Sequence, residues 1–406
     1  MTLLVWLFVA AASEPVSLPA SETASMPASP TAVTPAAPTK PPLVSASFGH
    51  GIVFSLGKEI FELKLRARIQ VRFSHVEPGR GSTATKIDEF MIRRARIFME
   101  GVFLKDFKLR MQLGLAPRDM ESDAPNPLRD AQISYTRLRD LSIRLGQGKV
   151  QFDRHRMTSS ARIIFPERAD VMTELTLDRD IGAEIYSDDL FGAGGRFAYA
   201  FGVWGGDGRN RFAPNAGLLY SLRLQISPFG SFDDAEGDHT RERRLRMAIG
   251  LAGARNNATI RTLSTTGAFY RLPGGFSHWH ATADVVVKVA GFYFLGAWFL
   301  RVADEGARSG NLHGVRVTEY SRSATGMLAQ AAMMTCEYFE LIARYGYLHP
   351  LGSGDPALKV MHQFAGGMNF YTGASHNLKL TVDYDFAGDE RLVGRHTVRL
   401  QAQMYF

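Results

Sequence analysis

Apolar and polar residues alternate with a period of two through most of the chain from residue 61 onward, which is the spacing of strands rather than of helices. The segment Lys64–Phe73 shows this most clearly, with four cations and a glutamine on one parity and only apolar residues on the other. The segments 107–115, 377–386 and 396–406 repeat the pattern. Because successive side chains of a strand point to opposite faces, each segment predicts a strand with one apolar and one polar face.

Sixteen segments of this kind can be counted. They cover residues 61–74, 90–101, 106–116, 130–137, 141–149, 180–187, 195–204, 217–227, 243–254, 278–290, 291–303, 324–334, 336–348, 360–371, 377–386 and 396–406. The links between them tend to alternate short and long, and one long link, from Pro228 to Glu242, breaks the rule. Such alternation is typical of an outer-membrane barrel, and strands of about 9–11 residues cross a bilayer at a tilt. The pattern predicts an all-β fold, a 16-stranded antiparallel up-and-down transmembrane β-barrel with both termini periplasmic. A soluble protein of several sheets is the alternative, but it does not require such uniform charge on one face.

Charge fixes which face is inside. An Arg or Lys facing lipid near the midplane costs about 2–4 kcal/mol, so the polar parity must line the lumen. The inward cations expected on the first strands are Lys64, Arg66, Arg68, Arg72, Arg94, Arg96, Lys108, Arg110 and Arg144. Arg93 has the opposite parity, and we expect it at the start of its strand, near a loop. Residues 48–165 hold 22 Lys and Arg against 13 Asp and Glu, whereas residues 166–406 hold 24 against 25. The formal net charge of +7 is thus concentrated in the first strands, which favours anionic partners.

The longest link, from about Val150 to Arg179, exceeds ordinary loop lengths and is a candidate functional segment. Near its start it combines cations with hydroxyls: Arg154, Arg156, Thr158, Ser159, Ser160 and Arg162. Guanidinium forks and hydroxyl donors together suit an oxyanion. The link also holds several acids, so pairing of its arginines with those acids is the alternative.

The ends of the chain differ from the strand region. Leu3–Ala12 is apolar and ends in small residues, which predicts a signal peptide over residues 1–12, although no basic residue precedes it. Residues 13–47 are rich in Pro, Ala, Ser and Thr, and we expect a disordered linker there. Residues 48–406 then form the barrel.

Other function classes find little support. The single cysteine, Cys336, excludes an internal disulfide. The chain lacks the nucleophile-elbow, zinc-protease and P-loop motifs, so an outer-membrane enzyme is a remote alternative, and no cofactor or metal is expected. Nucleic-acid binding is disfavoured because the aromatic residues lie mostly on the parity opposite the cations.

Several blocks resemble the phosphate-selective porin O and P family. They are RRARIFMEGVFLKDFKLRMQLGLA, LRDAQISY, IRLGQGKVQFDR, MTSSARIIFPERADV, DRDIGAEIY and FGVWGGDGRN, and they lie between Phe61 and Asn210. The final Phe406 resembles the terminal signal of outer-membrane barrels. The resemblance implies a homotrimer of 16-stranded barrels in outer-membrane lipid, with a long third loop folded into each pore and a ladder of Arg and Lys. It implies a constriction that binds phosphate-like inorganic anions.

On motif position, the resemblance assigns constriction roles to Arg93, Arg94, Asp130, Lys149, Ser159 and Ser160, beside the loop arginines Arg154, Arg156 and Arg162. The resulting hypothesis is a passive outer-membrane channel for phosphate or similar oxyanions. A general diffusion porin with mild anion preference and no dedicated phosphate site stays open as the alternative.

Overall fold

The computed structural model describes residues 43–56, 60–79, 81, 83–121, 125–211, 217–352, 354–373 and 375–406. The predicted signal peptide, residues 1–12, and most of the predicted linker, residues 13–47, lie outside the described residues. The described end of that linker, Val44–Ser47, forms a strand, so the expected disorder is wrong for these four residues.

Twenty strands, two α-helices and two 3₁₀ turns form among the described residues. The strands are β1 (Val44–Ser47), β2 (Gly51–Leu56), β3 (Phe61–Glu77), β4 (Ile87–Phe103), β5 (Phe107–Gly114), β6 (Leu128–Tyr135), β7 (Ser142–Lys149), β8 (Arg179–Ser187), β9 (Phe197–Trp204), β10 (Leu219–Ile226), β11 (Arg246–Thr259), β12 (Phe276–Val289), β13 (Phe292–Ala303), β14 (Ala307–Leu312), β15 (Val315–Tyr320), β16 (Ala324–Met334), β17 (Phe339–Pro350), β18 (Met361–Tyr371), β19 (Leu378–Gly388) and β20 (Gly394–Tyr405). The helices are α1 (Arg154–Met157) and α2 (Asp170–Leu175), and the 3₁₀ turns are Pro117–Asp119 and Leu190–Gly192.

Sixteen of these strands, β3–β13 and β16–β20, close an antiparallel barrel, which confirms the predicted fold. Each pairs with the next barrel strand in the chain, and β20 closes the ring on β3, with Tyr405 opposite Arg68. At the end of this seam the N–H of Ala67 donates to the carbonyl of Phe406 at 3.0 Å. The register puts the apolar parity outside, as predicted.

Four strands were not predicted. β1 and β2 form a hairpin that pairs with Phe61–Leu65 at the start of β3, and β14 and β15 form a separate hairpin within the link 304–323. These strands have only four to six residues. They therefore give little period-two signal in the sequence.

The link 150–178 packs inside the barrel against β13, β16 and β17. Its residues Phe165 and Met172 are fully buried, in one cluster with Tyr293, Leu295 and Phe299 of β13. Those three side chains face inward, which explains why this segment of the sequence is apolar on both faces. One side of the lumen is thus filled by apolar contact, and the arginine-bearing side is left open.

The long link on the short-turn side, residues 227–245, also enters the barrel. The N–H of Glu236 donates to the carbonyl of Arg162 at 2.8 Å, and the Glu236 carboxylate accepts from the N–H of Ile164 at 2.9 Å. Lys288 Nζ of β12 donates to the carbonyl of Asp233 at 2.8 Å. The link 227–245 is therefore long because it packs against the link 150–178 inside the barrel.

Candidate functional site

A cavity of about 800 Å³ opens on the long-loop side of the infolded link 150–178, and we call it the vestibule. Fifteen Lys and Arg line it against six Asp and Glu, so its wall carries an excess of positive charge. The cations are Arg72, Arg93, Arg94, Arg96, Arg110, Arg118, Arg129, Lys149, Arg156, Arg168, Arg179, Arg209, Arg261, Arg395 and Arg399; the acids are Glu89, Asp119, Glu121, Glu167, Asp170 and Asp178.

A β-bulge in β4 brings two consecutive arginines to this wall. Gln70 of β3 pairs with Arg94, but the next residue, Val71, pairs with Ile92, so Arg93 is the extra residue. Because a bulge inserts one residue without a partner, Arg93 and Arg94 both line the vestibule. The expectation that Arg93 lies at the start of its strand is wrong, since the bulge falls inside β4.

Glu167 of the infolded link accepts hydrogen bonds from three wall arginines. Arg72 Nη1 lies 2.6 Å from Oε1, Arg94 Nη2 lies 2.9 Å from Oε2, and Arg93 Nη2 lies 3.0 Å from Oε2. Burial alone would raise the pKa of Glu167, but the charges of Arg94, Arg93 and Arg72 outweigh it and hold that pKa well below its usual range. The carboxylate is therefore a permanent anion at the centre of the cationic wall.

Ser160 joins the infolded link to the wall. Its Oγ accepts hydrogen bonds from Arg68 Nη2 and from Arg96 Nη1, each at 3.0 Å. Arg96 also pairs with Asp119, where its Nε donates to Oδ2 at 2.9 Å. Burial would raise the pKa of Asp119, but its pairing with Arg96 lowers it overall. Ser160 thus accepts from two arginines that are themselves buried.

A second cavity of about 250 Å³ lies on the short-turn side, and we call its boundary with the vestibule the neck. Ser159 and Arg110 line both cavities, so they mark the boundary between the two spaces. Beside them Lys149 Nζ donates to the carbonyls of Met157 and Thr158 at 2.8 and 3.1 Å.

Arg168 lies on the same side of the infolded link and lines the vestibule. Its Nη2 donates to the carbonyl of Thr158 at 2.7 Å, and its Nε donates to the carbonyl of His155 at 3.2 Å. Within the described ranges, no carboxylate oxygen lies within 4.0 Å of a charged nitrogen of Arg110, Lys149 or Arg168. Among the described residues, no acid therefore pairs with these three cations of the neck at close range.

The sequence model described as "Phosphate-selective porin O and P" matches residues 63–404. The chain belongs to the phosphate-selective porin O and P family. It is therefore an outer-membrane channel, and its barrel lies in a bacterial outer membrane. Within the part of the chain that the structure describes, no helix is long and apolar enough to span a membrane.

Solved structures show the same fold at low identity. The anion-selective porin from Comamonas acidovorans is 12% identical, with 85% of this chain and 100% of that chain covered and a TM-score of 0.53. OmpF of Salmonella typhi, in complex with daunomycin, is 13% identical, with 86% and 99% covered and a TM-score of 0.54. The trimer form of OmpT from Vibrio cholerae is 8% identical, with 86% and 100% covered and a TM-score of 0.51. None of the curated proteins matches the chain.

Not every predicted constriction residue of this porin lies at the neck. Arg154 is 3% exposed and lines neither cavity. Its Nε donates to Asp284 Oδ1 of β12 at 2.7 Å and its Nη2 to Gln225 Oε1 of β10 at 2.9 Å, and it also pairs with Asp234 of the link 227–245. Arg154 therefore anchors the infolded link to the wall, and its predicted place in the constriction is wrong.

Asp130 is also buried and lines neither cavity; Arg179 Nε donates to its Oδ1 at 2.8 Å. Arg156 does line the vestibule, where its Nε donates to Asp178 Oδ1 at 2.8 Å. Burial alone would raise the pKa of Asp178, but Arg156 and Arg179 hold it well below its usual range.

The remaining predicted cations are spread along the lumen. Arg66 and Arg162 line the short-turn cavity, and Arg66 pairs with Glu100 at 2.6 Å. Arg144 lines a separate cavity of about 420 Å³. Lys64 and Lys108 line none of these cavities, and Lys64 sits where β2, rather than β20, is the neighbour of β3.

Sequence reasoning missed Glu167 and Arg168 as site residues. From the sequence, the acids of the link 150–178 are expected only as partners for its own arginines. Glu167 instead pairs with arginines of β3 and β4, from which it is separated by more than seventy residues in sequence. The only sequence signal was an acid in a loop expected to face a cationic wall.

Proposed function

We propose that this porin is a passive channel for anions, and that phosphate or a similar oxyanion passes through the neck in contact with Arg110, Lys149 and Arg168. The observation that carries the proposal is that, among the described residues, no carboxylate oxygen lies within 4.0 Å of a charged nitrogen of these three cations, which line the vestibule together with Ser159. Arginine stays charged at all physiological pH, so the attraction for anions persists across that range.

Pairing divides the cations of the wall into two groups. Arg72, Arg93, Arg94 and Arg96 share the two carboxylates of Glu167 and Asp119, so each of these arginines has an acid partner at close range. Within the part of the chain that the structure describes, Lys149 and Arg168 donate only to backbone carbonyls, and Arg110 donates to no acceptor. A permeating oxyanion would exchange part of its hydration shell for charge-assisted hydrogen bonds there, with binding weak enough to allow release.

A general diffusion porin with mild anion preference is the second candidate. The extensive pairing of wall arginines with acids favours it, because mixed charge gives a polar wall without a dedicated site. The two candidates differ in phosphate block: a site at the neck lowers chloride current at low phosphate concentration, whereas a general pore does not.

The test is a planar bilayer measurement with purified protein. A salt gradient should give a reversal potential that favours chloride over potassium, and phosphate should then reduce the chloride current. Arg110→Gln should weaken the phosphate block by about tenfold, as expected for one charge-assisted hydrogen bond. Arg118→Gln removes the same charge from a vestibule side chain that is 59% exposed, and it should change the block by less than twofold. Cation preference would refute the channel assignment, and absence of block would leave the general porin.

We further propose a homotrimer, since the similar OmpT of Vibrio cholerae is described in a trimer form. We place the short-turn side, with both termini, in the periplasm, and assign residues 1–12 to a signal peptide and the following residues up to 43 to a linker. Mass spectrometry of the mature protein tests the cleavage, and cross-linking in native membranes tests the trimer.

A further inference from the structure

Glu167 occupies the donors that an oxyanion in the vestibule would use. Its two carboxylate oxygens accept from Arg72, Arg93 and Arg94, with no other acid on this triad of arginines within 4.0 Å among the described residues. The Glu167 side chain is 24% exposed and lines the vestibule. A carboxylate and a phosphate oxygen make the same bonds to a guanidinium fork, so the triad already holds an anion that belongs to the protein.

The backbone around Glu167 is fixed by the opposite half of the barrel. Arg344 Nη1 of β17 donates to the carbonyl of Glu167 at 2.9 Å. Lys379 Nζ of β19 donates to the carbonyl of Ile163 at 2.6 Å, and Asn369 Nδ2 of β18 donates to the carbonyl of Ile164 at 3.0 Å. Because the backbone is held, the Glu167 carboxylate stays close to the three arginines at high local concentration. A solute anion can replace it there only if the Glu167 side chain rotates away.

We propose that Glu167 is a tethered competitor for permeating oxyanions, which sets the affinity of the vestibule by occupying Arg72, Arg93 and Arg94. This inference rests on the proposed anion channel and adds how that channel limits its own affinity. An anion crosses the vestibule without being trapped by three adjacent arginines, because their forks are occupied. At the neck it then meets Arg110, Lys149 and Arg168, which no carboxylate of the described residues pairs with at close range. Glu167 therefore determines oxyanion residence time rather than the path.

The test compares phosphate inhibition of chloride current in Glu167→Gln and Glu89→Gln. Both variants remove one negative charge from the vestibule, but among the described residues Glu89 forms an ion pair only with Arg118, at 3.3 Å, and with none of the triad. Glu167→Gln should lower the phosphate concentration for half-inhibition by about tenfold or more, the factor for one charge-assisted hydrogen bond regained. Glu89→Gln should change it by less than twofold. Equal shifts in both variants would overturn the inference, because a general charge effect would then be sufficient.

A double variant tests whether Glu167→Gln acts by loosening the infolded link rather than by freeing the arginines. Glu167→Gln combined with Arg93→Gln removes the competitor and one of its cations, so half-inhibition should return to within about threefold of the wild-type value. Failure to return would indicate that the single variant acts by disturbing the fold, and would overturn the inference. The proposed function fails separately, through a wild-type channel without anion preference or phosphate block.

Discussion

Replacement of Arg154 tests whether the infolded link is held by a buried anchor. Arg154 and Asp284 are 3% and 1% exposed in their side chains. Removal of one partner of a buried ion pair costs about 3–5 kcal/mol. Asp284 would keep its bond from Arg223 at 2.7 Å, and the other acid, Asp234, is 47% exposed and can be solvated. We therefore expect the lower end of this range, about 3 kcal/mol, for the loss of Arg154. This cost shifts the equilibrium of the link 150–178 towards the undocked state by roughly 100-fold.

Arg154→Met should give larger single-channel chloride conductance, more open-channel current noise and a weaker phosphate block. The barrel should stay folded, because the β-ladder is untouched, and its altered migration on gels without heating checks this. Arg118→Met is the matched control; it breaks an exposed ion pair worth about 0–1 kcal/mol and should leave the noise unchanged.

Arg154→Lys separates an anchor from a pore cation. One ammonium group cannot reproduce the fork to Asp284, Asp234 and Gln225, so Lys should be nearly as disruptive as Met. Wild-type noise and block in Arg154→Lys would refute the reasoning, since charge alone would then be sufficient.

Three further outcomes are expected. Burial holds the pKa of His155 well below its usual value of about 6.5, and burial lowers the pKa of His239 to about 4. When undocked, the links 150–178 and 227–245 therefore bind more protons below pH 6.5 than when docked, so docking loses stability as pH falls from 6.5 towards 4. Burial raises the pKa of Glu236, and this shift opposes part of the effect. Chloride current noise should thus be greater at pH 5 than at pH 7.5, and equal noise would contradict the sign. Lys64→Gln should leave the reversal potential within a few millivolts of wild type, because Lys64 lines none of the cavities; a clear loss of anion preference would restore it to the pathway. Phe165→Ala should destabilise the docked link 150–178 by about 3–5 kcal/mol. Protease cleavage within residues 150–178 should then increase, and resistance equal to wild type would contradict the prediction.

The sequence by itself determined the barrel. A lipid-facing cation costs several kcal/mol and strand side chains alternate strictly, so the order, number and facing of the barrel strands could be read from period two alone. It also placed the charge excess on the first strands. Even the anomalous link after β10 was visible as a break in the alternation of loop lengths.

Only the tertiary structure decided how the charges are used. The alternation shows only that Arg93 has the opposite parity to Arg94. It does not identify the bulge that brings Arg93 to the lumen. Loops have no periodicity, so the sequence does not indicate which arginines of the wall Glu167 contacts, or that Arg154 contacts β12. Ion pairing depends on distances of a few ångströms between segments far apart in sequence, and that proximity is created only when the barrel closes around its infolded links.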